Sequence, residues 1–304
     1  MQRTKVLTSS LPKLTGVRGE LAVTTDTLVE SVHFFPGPVP DRLGHKSAAV
    51  NLSDLAAMGA IPRQVFAQVE GPNLELGWCK AFEDGFSALV HSSGGESHLE
   101  FSQGSIIRIS VIAMGEVPRA NALTRDGARI GHRLAVTGSV GDAQGALQLA
   151  YAQQIDESSC AHQSLMERLD KPTPRVEAGL NLRGIASAAL DLSDGLLGDV
   201  THLLHEKAPG VLIYPDRLPV SAALARTFGD DEAVRCALRG GDDYELCFTF
   251  EPDRELEVRR AMKEAETPYS VIGEVVAKRG VELDTPRTSI QAVSTSSSYE
   301  HQFE

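Results

Sequence analysis

Cysteine is scarce in this 304-residue sequence, and the four present, Cys79, Cys160, Cys236 and Cys247, lie far apart. No CxxC pair and no Cys/His ligand spacing occurs, which leaves no support for a zinc site or a dithiol redox motif. Isolated thiols of this kind are usual in a reducing compartment, so a cytoplasmic protein is expected. No stretch approaches the roughly 18 apolar residues of a membrane span. The opening MQRTKVLTSSLPKLTG carries no apolar run long enough for a secretory signal. Positive charge is also in short supply: 29 Lys and Arg stand against 41 Asp and Glu, a net charge of −12. That balance argues against a nucleic-acid partner, which calls for a basic face. The loops GxxxxGK[ST] and GxGxxG are missing, as is a GxSxG elbow. A nucleotide, if handled here, is held in another way.

What is present is an ordinary globular composition, 42% hydrophobic and 23% charged, on a length that suggests about two domains. Leu21–Thr25 reads as a buried strand running into Asp26. Asp41–Met58 has helical periodicity, with Ser47, Val50, Asn51, Asp54 and Met58 on one face, and Gly59 and Pro62 stop it. Leu76–His91 reads as a second helix and Ser105–Met114 as a strong strand. Pro118–Gly131 is polar and turn-rich, so the boundary is placed there, giving domains 1–120 and 121–304. Beyond it, strands are expected at Arg133–Thr137, Ser187–Leu192, Val211–Tyr214, Tyr244–Phe250 and Ser270–Val276. They alternate with helices, one over Asp231–Leu238 and one carrying Leu196, Val200, Leu203 and Leu204. Both halves mix α and β elements, the pattern of layered α/β or α+β domains.

Aspartates recur at chain corners. TTDT (Thr24–Thr27) is expected at a strand end, NLSD (Asn51–Asp54) lies within a helix, and DLSDG (Asp191–Gly195) marks a strand-to-helix switch. Hard cations such as Mg²⁺ take carboxylate, hydroxyl and phosphate oxygens. Thr24, Thr25 and Asp26 offer three oxygens from one short segment. Asp191 and Asp194 sit where backbone N–H groups at a helix start can also meet phosphate, although an Asp there equally serves as a helix cap. Asp54, on a helix face of small and apolar residues, is costly to bury without a partner. Gly240–Glu245 (GGDDYE) is a fourth acidic corner, either part of the site or a charged loop before a strand. These features together point to a cation-dependent, phosphate-handling site.

Taken together, TTDTLVESVHF, HKSAAVNLSDLAAMGA, ALTRDGARIG, AVTGSVGDAQGAL, KPTPR, ALDLSDGLLGD, LRGGDDYELCF and VIGEV occur in the order that marks the thiamine-monophosphate kinase family, within the aminoimidazole ribonucleotide synthetase-like superfamily. The resemblance covers most of the chain from about residue 21. It implies an α/β (α+β) protein of two domains, the N-terminal β-sheet domain forming a barrel across a homodimer and the C-terminal domain α/β. It also implies ATP- and Mg²⁺-dependent phosphorylation of thiamine monophosphate, with several Mg²⁺ ions and ATP as co-substrate. Matched by position, Thr24, Thr25, Asp26, Asp54, Asp191 and Asp194 fall on metal-binding places, with Asp26, Asp54 and Asp191 central to catalysis. Arg125 and Ser193 fall on ATP contacts, and His33, Asp242 and Tyr299 on substrate contacts.

Two parts of that pattern are altered. A Gly-Asp-Asp segment is expected about 17 residues before the Thr-Asp-Thr turn, but the corresponding Val6–Leu14 holds no acid, and the chain opens later than its relatives do. A Gly-Gly-Asp-Thr segment is expected before the strand at Ser105, where only Glu96 or Glu100 can substitute for the aspartate. Two readings follow. One is a working kinase with a remodelled metal cluster. The other is a catalytically silent relative that binds a thiamine phosphate or a nucleotide.

Overall fold

Alternation along β-strands sets the first layer. The computed structural model describes residues 19–204 and 210–284. Its N-terminal sheet comprises β1 (Glu20–Val29), β2 (Ile61–Gly71), β3 (Glu96–Gln103) and β4 (Arg108–Val117), in the order β1-β4-β2-β3. β4 pairs antiparallel with β1 and β2, while β2 and β3 run parallel. Ala22, Leu28, Val65, Val69, Ile109 and Val111 turn to one face and are buried. Helices α1 (Pro40–Ala57) and α2 (Leu76–Ser92) pack on each other, and α1 packs on that sheet. Pro40 opens α1, because its missing N–H would be unpaired there anyway. The two helices can meet because Gly44 and Gly85 lie between them. A Cβ on Gly85 would stand 1.9 Å from the Asp41 carbonyl oxygen.

The second sheet has six strands: β5 (Arg133–Thr137), β6 (Ala188–Asp191), β7 (Gly210–Ile213), β8 (Leu246–Phe250), β9 (Tyr269–Val276) and β10 (Val281–Leu283), ordered β10-β7-β9-β5-β8-β6. Only the β10–β7 pair is parallel. Its helices are α3 (Asp142–Tyr151), α4 (Cys160–Asp170), α5 (Val176–Leu182), α6 (Leu196–Asp199), α7 (Ala222–Phe228), α8 (Asp230–Arg239) and α9 (Glu255–Glu264). One hydrophobic cluster runs from Val65 and Phe82 through Leu55 to Phe248 and Val258. The two sheets therefore share a core, with α1 between them touching α5 and β6 as well as the first sheet.

Several expectations are corrected. β1 continues to Val29, so Asp26 sits in mid-strand opposite Val111 rather than at a strand end. Leu21 and Val23 are 47% and 53% exposed, because they lie on the outer face of the sheet. The strand expected from Ser105 starts at Arg108 and reaches Val117. Tyr244 and Glu245 precede β8, since Asp242 and Tyr244 have φ of 64° and 51°, outside the strand region. The helix after Asp194 is a single turn, α6, continued as a 3₁₀ turn over Val200–Leu203, consistent with Gly198 in its middle. β2 and β3, unread in the sequence, carry Pro62 and alternating polar residues that blur the apolar pattern. Among the described residues no helix is long and apolar enough to cross a membrane.

Candidate active site

The two domains meet along α1, and their acidic segments converge there. Thr24 and Asp26 share the sheet face turned toward α1, because neighbours two apart in a strand point the same way. Asp54 comes down from α1 to meet them. Thr24 Oγ1 donates to Asp54 Oδ2, and Asp26 and Asp54 share a hydrogen bond. From the other domain Asp191, at the end of β6, is fixed by Ser53, whose Oγ donates to Asp191 Oδ2 at 2.7 Å. Burial, then the Asp54 charge, pushes the Asp26 carboxyl up to about 7. The same two causes push Asp191 up to about 7, against the Ser53 hydrogen bond. Burial raises Asp54 too, opposed by its bonds to Thr24 and Asp26 and by the Arg125 guanidinium. Asp26 and Asp54, joined by that hydrogen bond, therefore titrate together rather than independently.

Thr25 is not brought into this group. The strand's two-residue period turns its side chain to the outer face, opposite Ile112, so at most its carbonyl is available. Glu96 and Glu100 are corrected in the same way. They lie on β3, the edge strand furthest from β1, and the register places their side chains on the outer face, away from Asp26. Glu96 instead accepts from Gln64 Nε2 at 2.8 Å.

The DLSDG loop holds a surprise. The N–H groups of Ser193, Asp194 and Gly195 all donate to one oxygen, Asp199 Oδ2, at 3.0, 3.0 and 3.1 Å. Donors that the sequence offered to a phosphate are thus occupied by the chain's own carboxylate. Burial pushes Asp199 up to about 6 despite these three bonds. Asp199 went unread, although its place eight residues after Asp191 in DLSDGLLGD was visible.

The GGDDYE loop is pinned beside it: Asp242 N–H donates to Ser193 O at 2.9 Å and Tyr244 N–H to Leu192 O at 2.8 Å. Gly241 is required there, since a Cβ would stand 2.3 Å from the Ser193 carbonyl oxygen. The loop's acids divide their tasks. Glu245 is fully buried and accepts from Thr137 Oγ1 at 2.7 Å, from Arg175 through two bonds of 2.6 Å, and from Arg168 at 2.8 Å. Asp243 accepts from Gly141 N–H at 2.8 Å, and burial lifts its carboxyl far above the usual range. Asp242 alone turns to the open site, where Tyr244 Oη donates to Oδ1 at 3.0 Å and Lys46 Nζ to Oδ2 at 2.7 Å.

A cavity of about 690 Å³ joins these parts. Asp26, Asp54, Asp191, Ser193 and Asp194 line one end and Asp242 and Tyr244 a side. Phe34, Phe35, Leu147, Tyr151, Met166 and Leu169 form apolar walls. His33 lines it too, its Nδ1 accepting from Val29 N–H at 3.0 Å, which puts the ring proton on Nε2. Arg125 is exposed and lies within electrostatic reach of Asp54. Tyr299 and Val6–Leu14 lie outside the described residues. The pocket thus has an acidic end and an aromatic-walled body, which suits a molecule carrying phosphate at one end and rings at the other.

Among the described residues no three acidic, His or Cys side chains gather tightly enough to hold a metal ion unaided. Mg²⁺, however, is usually held by one or two carboxylates with phosphate oxygens and water completing the shell. The Asp26–Asp54 pair, two carboxyls within hydrogen-bonding distance of each other, is a donor set that fits it, with Asp191 and Asp194 alongside.

The chain is similar to known proteins over most of its described length. Residues 13–117 match the family described as AIR synthase related protein, N-terminal domain, and residues 129–285 match its C-terminal domain. Thiamine-monophosphate kinase of Salmonella typhimurium (strain LT2) is 40% identical over 263 residues, covering 84% of this chain and 79% of that protein. The crystal structure of thiamine-monophosphate kinase from Stenotrophomonas maltophilia K279a superposes with a TM-score of 0.84 at 41% identity, covering 87% of this chain and 85% of the other. AaThiL complexed with AMPPCP and TMP superposes with a TM-score of 0.78 at 30% identity, covering 89% and 85%.

Proposed function

The chain belongs to the thiamine-monophosphate kinase family of AIR synthase related proteins, and we propose on that footing that its cavity transfers the γ-phosphoryl group of ATP to thiamine monophosphate, giving thiamine diphosphate. The observation that carries this reading is the convergence of Asp26, Asp54 and Asp191 from three segments at one end of an aromatic-walled cavity.

The acceptor is a phosphate oxygen already deprotonated near neutral pH, so no general base is required. The obstacle is charge: ATP near about −4 must approach a phosphate near about −2. Mg²⁺, when bound, would supply the positive charge that offsets this repulsion. Asp26 and Asp54 would hold it, with Asp191 and Asp194 in support; Thr24 orients Asp54 and Ser53 orients Asp191. Arg125 extends toward the nucleotide phosphates, Ser193 borders the nucleotide, and His33 and Asp242 contact the thiamine moiety. Catalysis then rests on positioning donor and acceptor in line and on the charges arranged around them. This favours the working kinase over the silent relative, since the lost acidic segments leave the inner carboxylates in place.

The outer face of the N-terminal sheet exposes Leu21, Val23 and Ile112 in neighbouring strands, an apolar stripe that a second copy of the chain would cover in a homodimer. We place the domain division between β4 and β5, and the protein in the cytoplasm, where its four free cysteines stay reduced.

The test is turnover of ATP and thiamine monophosphate with Mg²⁺, wild type beside Asp54→Asn. Thiamine diphosphate from wild type, and a loss of at least about 100-fold in the variant, is the expected outcome. Binding of thiamine monophosphate by wild type without turnover would sink the kinase and leave the silent relative.

A further inference from the structure

Lys46 is an unusual lysine. It sits in α1 with 5% of its surface exposed, and lysine is seldom buried without a partner. Its partner is Asp242, 196 residues away in the other domain, at 2.7 Å. The surface ion pairs joining the same regions, Arg42–Asp170 and Lys171–Asp41, involve side chains that are about a third or more exposed. A clamp between domains therefore exists without Lys46. Arg42 and Asp170 line the cavity too, so what distinguishes Lys46 is that it brings a nearly buried ammonium, its side chain 6% exposed, to a carboxylate on that wall.

Asp242 is held from three sides. Lys46 donates to Oδ2, Tyr244 to Oδ1, and its own N–H is tied to Ser193 O. Its backbone stands at φ 64°, a conformation that persists only where the surroundings impose it and that often marks a functional site. Each oxygen keeps a lone pair beyond the donor it already has. The carboxylate is therefore an oriented acceptor whose charge the ammonium offsets. Such a group suits a neutral N–H donor, such as the amino group of an aminopyrimidine, and adds no net negative charge to a cavity that must admit phosphates.

Helix geometry supplies the second half. Lys46, Val50 and Asp54 stand at i, i+4 and i+8 on α1, and all three line the cavity. Two helical turns, about 12 Å, separate the Lys46 and Asp54 backbones. An extended molecule with a phosphate at one end and an aminopyrimidine at the other spans such a gap. We propose that Lys46 is a positioning residue for thiamine monophosphate: by fixing Asp242 it aligns the aminopyrimidine end while Asp54 marks the phosphate end. This rests on Asp242 being a substrate contact, as the proposed function has it.

Steady-state kinetics on the full chain test it, comparing wild type, Lys46→Met, Asp242→Asn and the double variant, with calorimetric binding of thiamine monophosphate as a readout independent of turnover. Lys46→Met is expected to raise KM for thiamine monophosphate about 10- to 100-fold, the usual cost of losing an orienting partner. KM for ATP and kcat should change less than about threefold, since uniform binding is what is lost. The double variant should bind no worse than Asp242→Asn alone, because Lys46 acts only through Asp242. If Lys46→Met does not fold, the double variant, with its pair neutralised, carries the comparison. An unchanged KM in Lys46→Met, a matching fall in kcat, or a double variant weaker than Asp242→Asn overturns the proposal. If Asp242→Asn itself leaves KM and binding unchanged, the assignment of Asp242 to the substrate is what fails.

Discussion

Ser53 and Asp191, 138 residues apart, are joined by a 2.7 Å hydrogen bond with both side chains buried, and that bond ties α1 of one domain to the last residue of β6 in the other. It places the Asp191 carboxylate beside Asp54, the residue next to Ser53, so neighbours on one helix serve two carboxylates from different domains.

Ser53→Ala removes that donor and leaves a buried carboxylate oxygen unsatisfied. A stability loss of about 1–3 kcal/mol is expected. The Mg²⁺ concentration for half-maximal turnover should rise about 10- to 100-fold, the usual effect of losing a partner that orients a ligand. A magnesium titration of the initial rate checks this, and an unchanged midpoint would show that Asp191 does not depend on Ser53.

The acidic cluster gives the protein a pH dependence with a definite sign. Asp26 and Asp191 are each pushed up to about 7 in the folded chain, mainly by burial and then by the Asp54 charge. Their unfolded values are near 4. The folded state therefore binds more protons than the unfolded state across this window. Stability from these groups is fully present below about pH 4 and is lost as pH climbs through about 7. In EDTA, the melting temperature should fall between pH 5 and 8. Mg²⁺ should restore more of it at pH 8, where it no longer competes with a proton. Scanning calorimetry at several pH values decides the matter; a rise in EDTA over this range contradicts the assignment.

Glu245 sits at the root of the loop that presents Asp242, with Arg168, Arg175 and Thr137 all donating to it. Replacing it with Gln removes the buried negative charge while both guanidinium groups stay. A loss of about 3–5 kcal/mol is expected, the range for breaking a buried pair from one side. Urea unfolding monitored by circular dichroism measures it, and a loss below about 1 kcal/mol would mean the arginines find other partners.

The exposed stripe on the first sheet predicts the assembly state. Wild type should scatter light with the mass of two chains. Val23→Asp, placing a charge in mid-stripe, should shift the mass toward one chain without altering the far-ultraviolet spectrum. A wild-type monomer at micromolar concentration removes the dimer.

How much of this could be read from the residues differs by element. α1 was legible because a helical period and a Gly-Pro stop surround NLSD, and Asp54 stood out as the acid on a face of small residues. Asp191 and Asp194 were legible as a motif. Thr25 was misplaced because three adjacent oxygens suggested a turn, whereas an uninterrupted strand sends neighbours to opposite faces. Lys46 gave no sign of burial, since that depends on Asp242 arriving from 196 residues away. The strands β2 and β3 were hidden because Pro62 and polar residues such as Arg63, Gln64, Gln68, Ser97 and Ser102 interrupt their apolar pattern.

The carboxylate of Asp199 acts as a resident anion. By filling the cradle formed by Ser193, Asp194 and Gly195, it denies an incoming nucleotide one neutral means of capture. A P-loop or dinucleotide fold grips phosphate through such amides even when cations are scarce. Here that grip is already spent inward. A phosphate reaching this loop would meet a carboxylate where those other folds offer free amides.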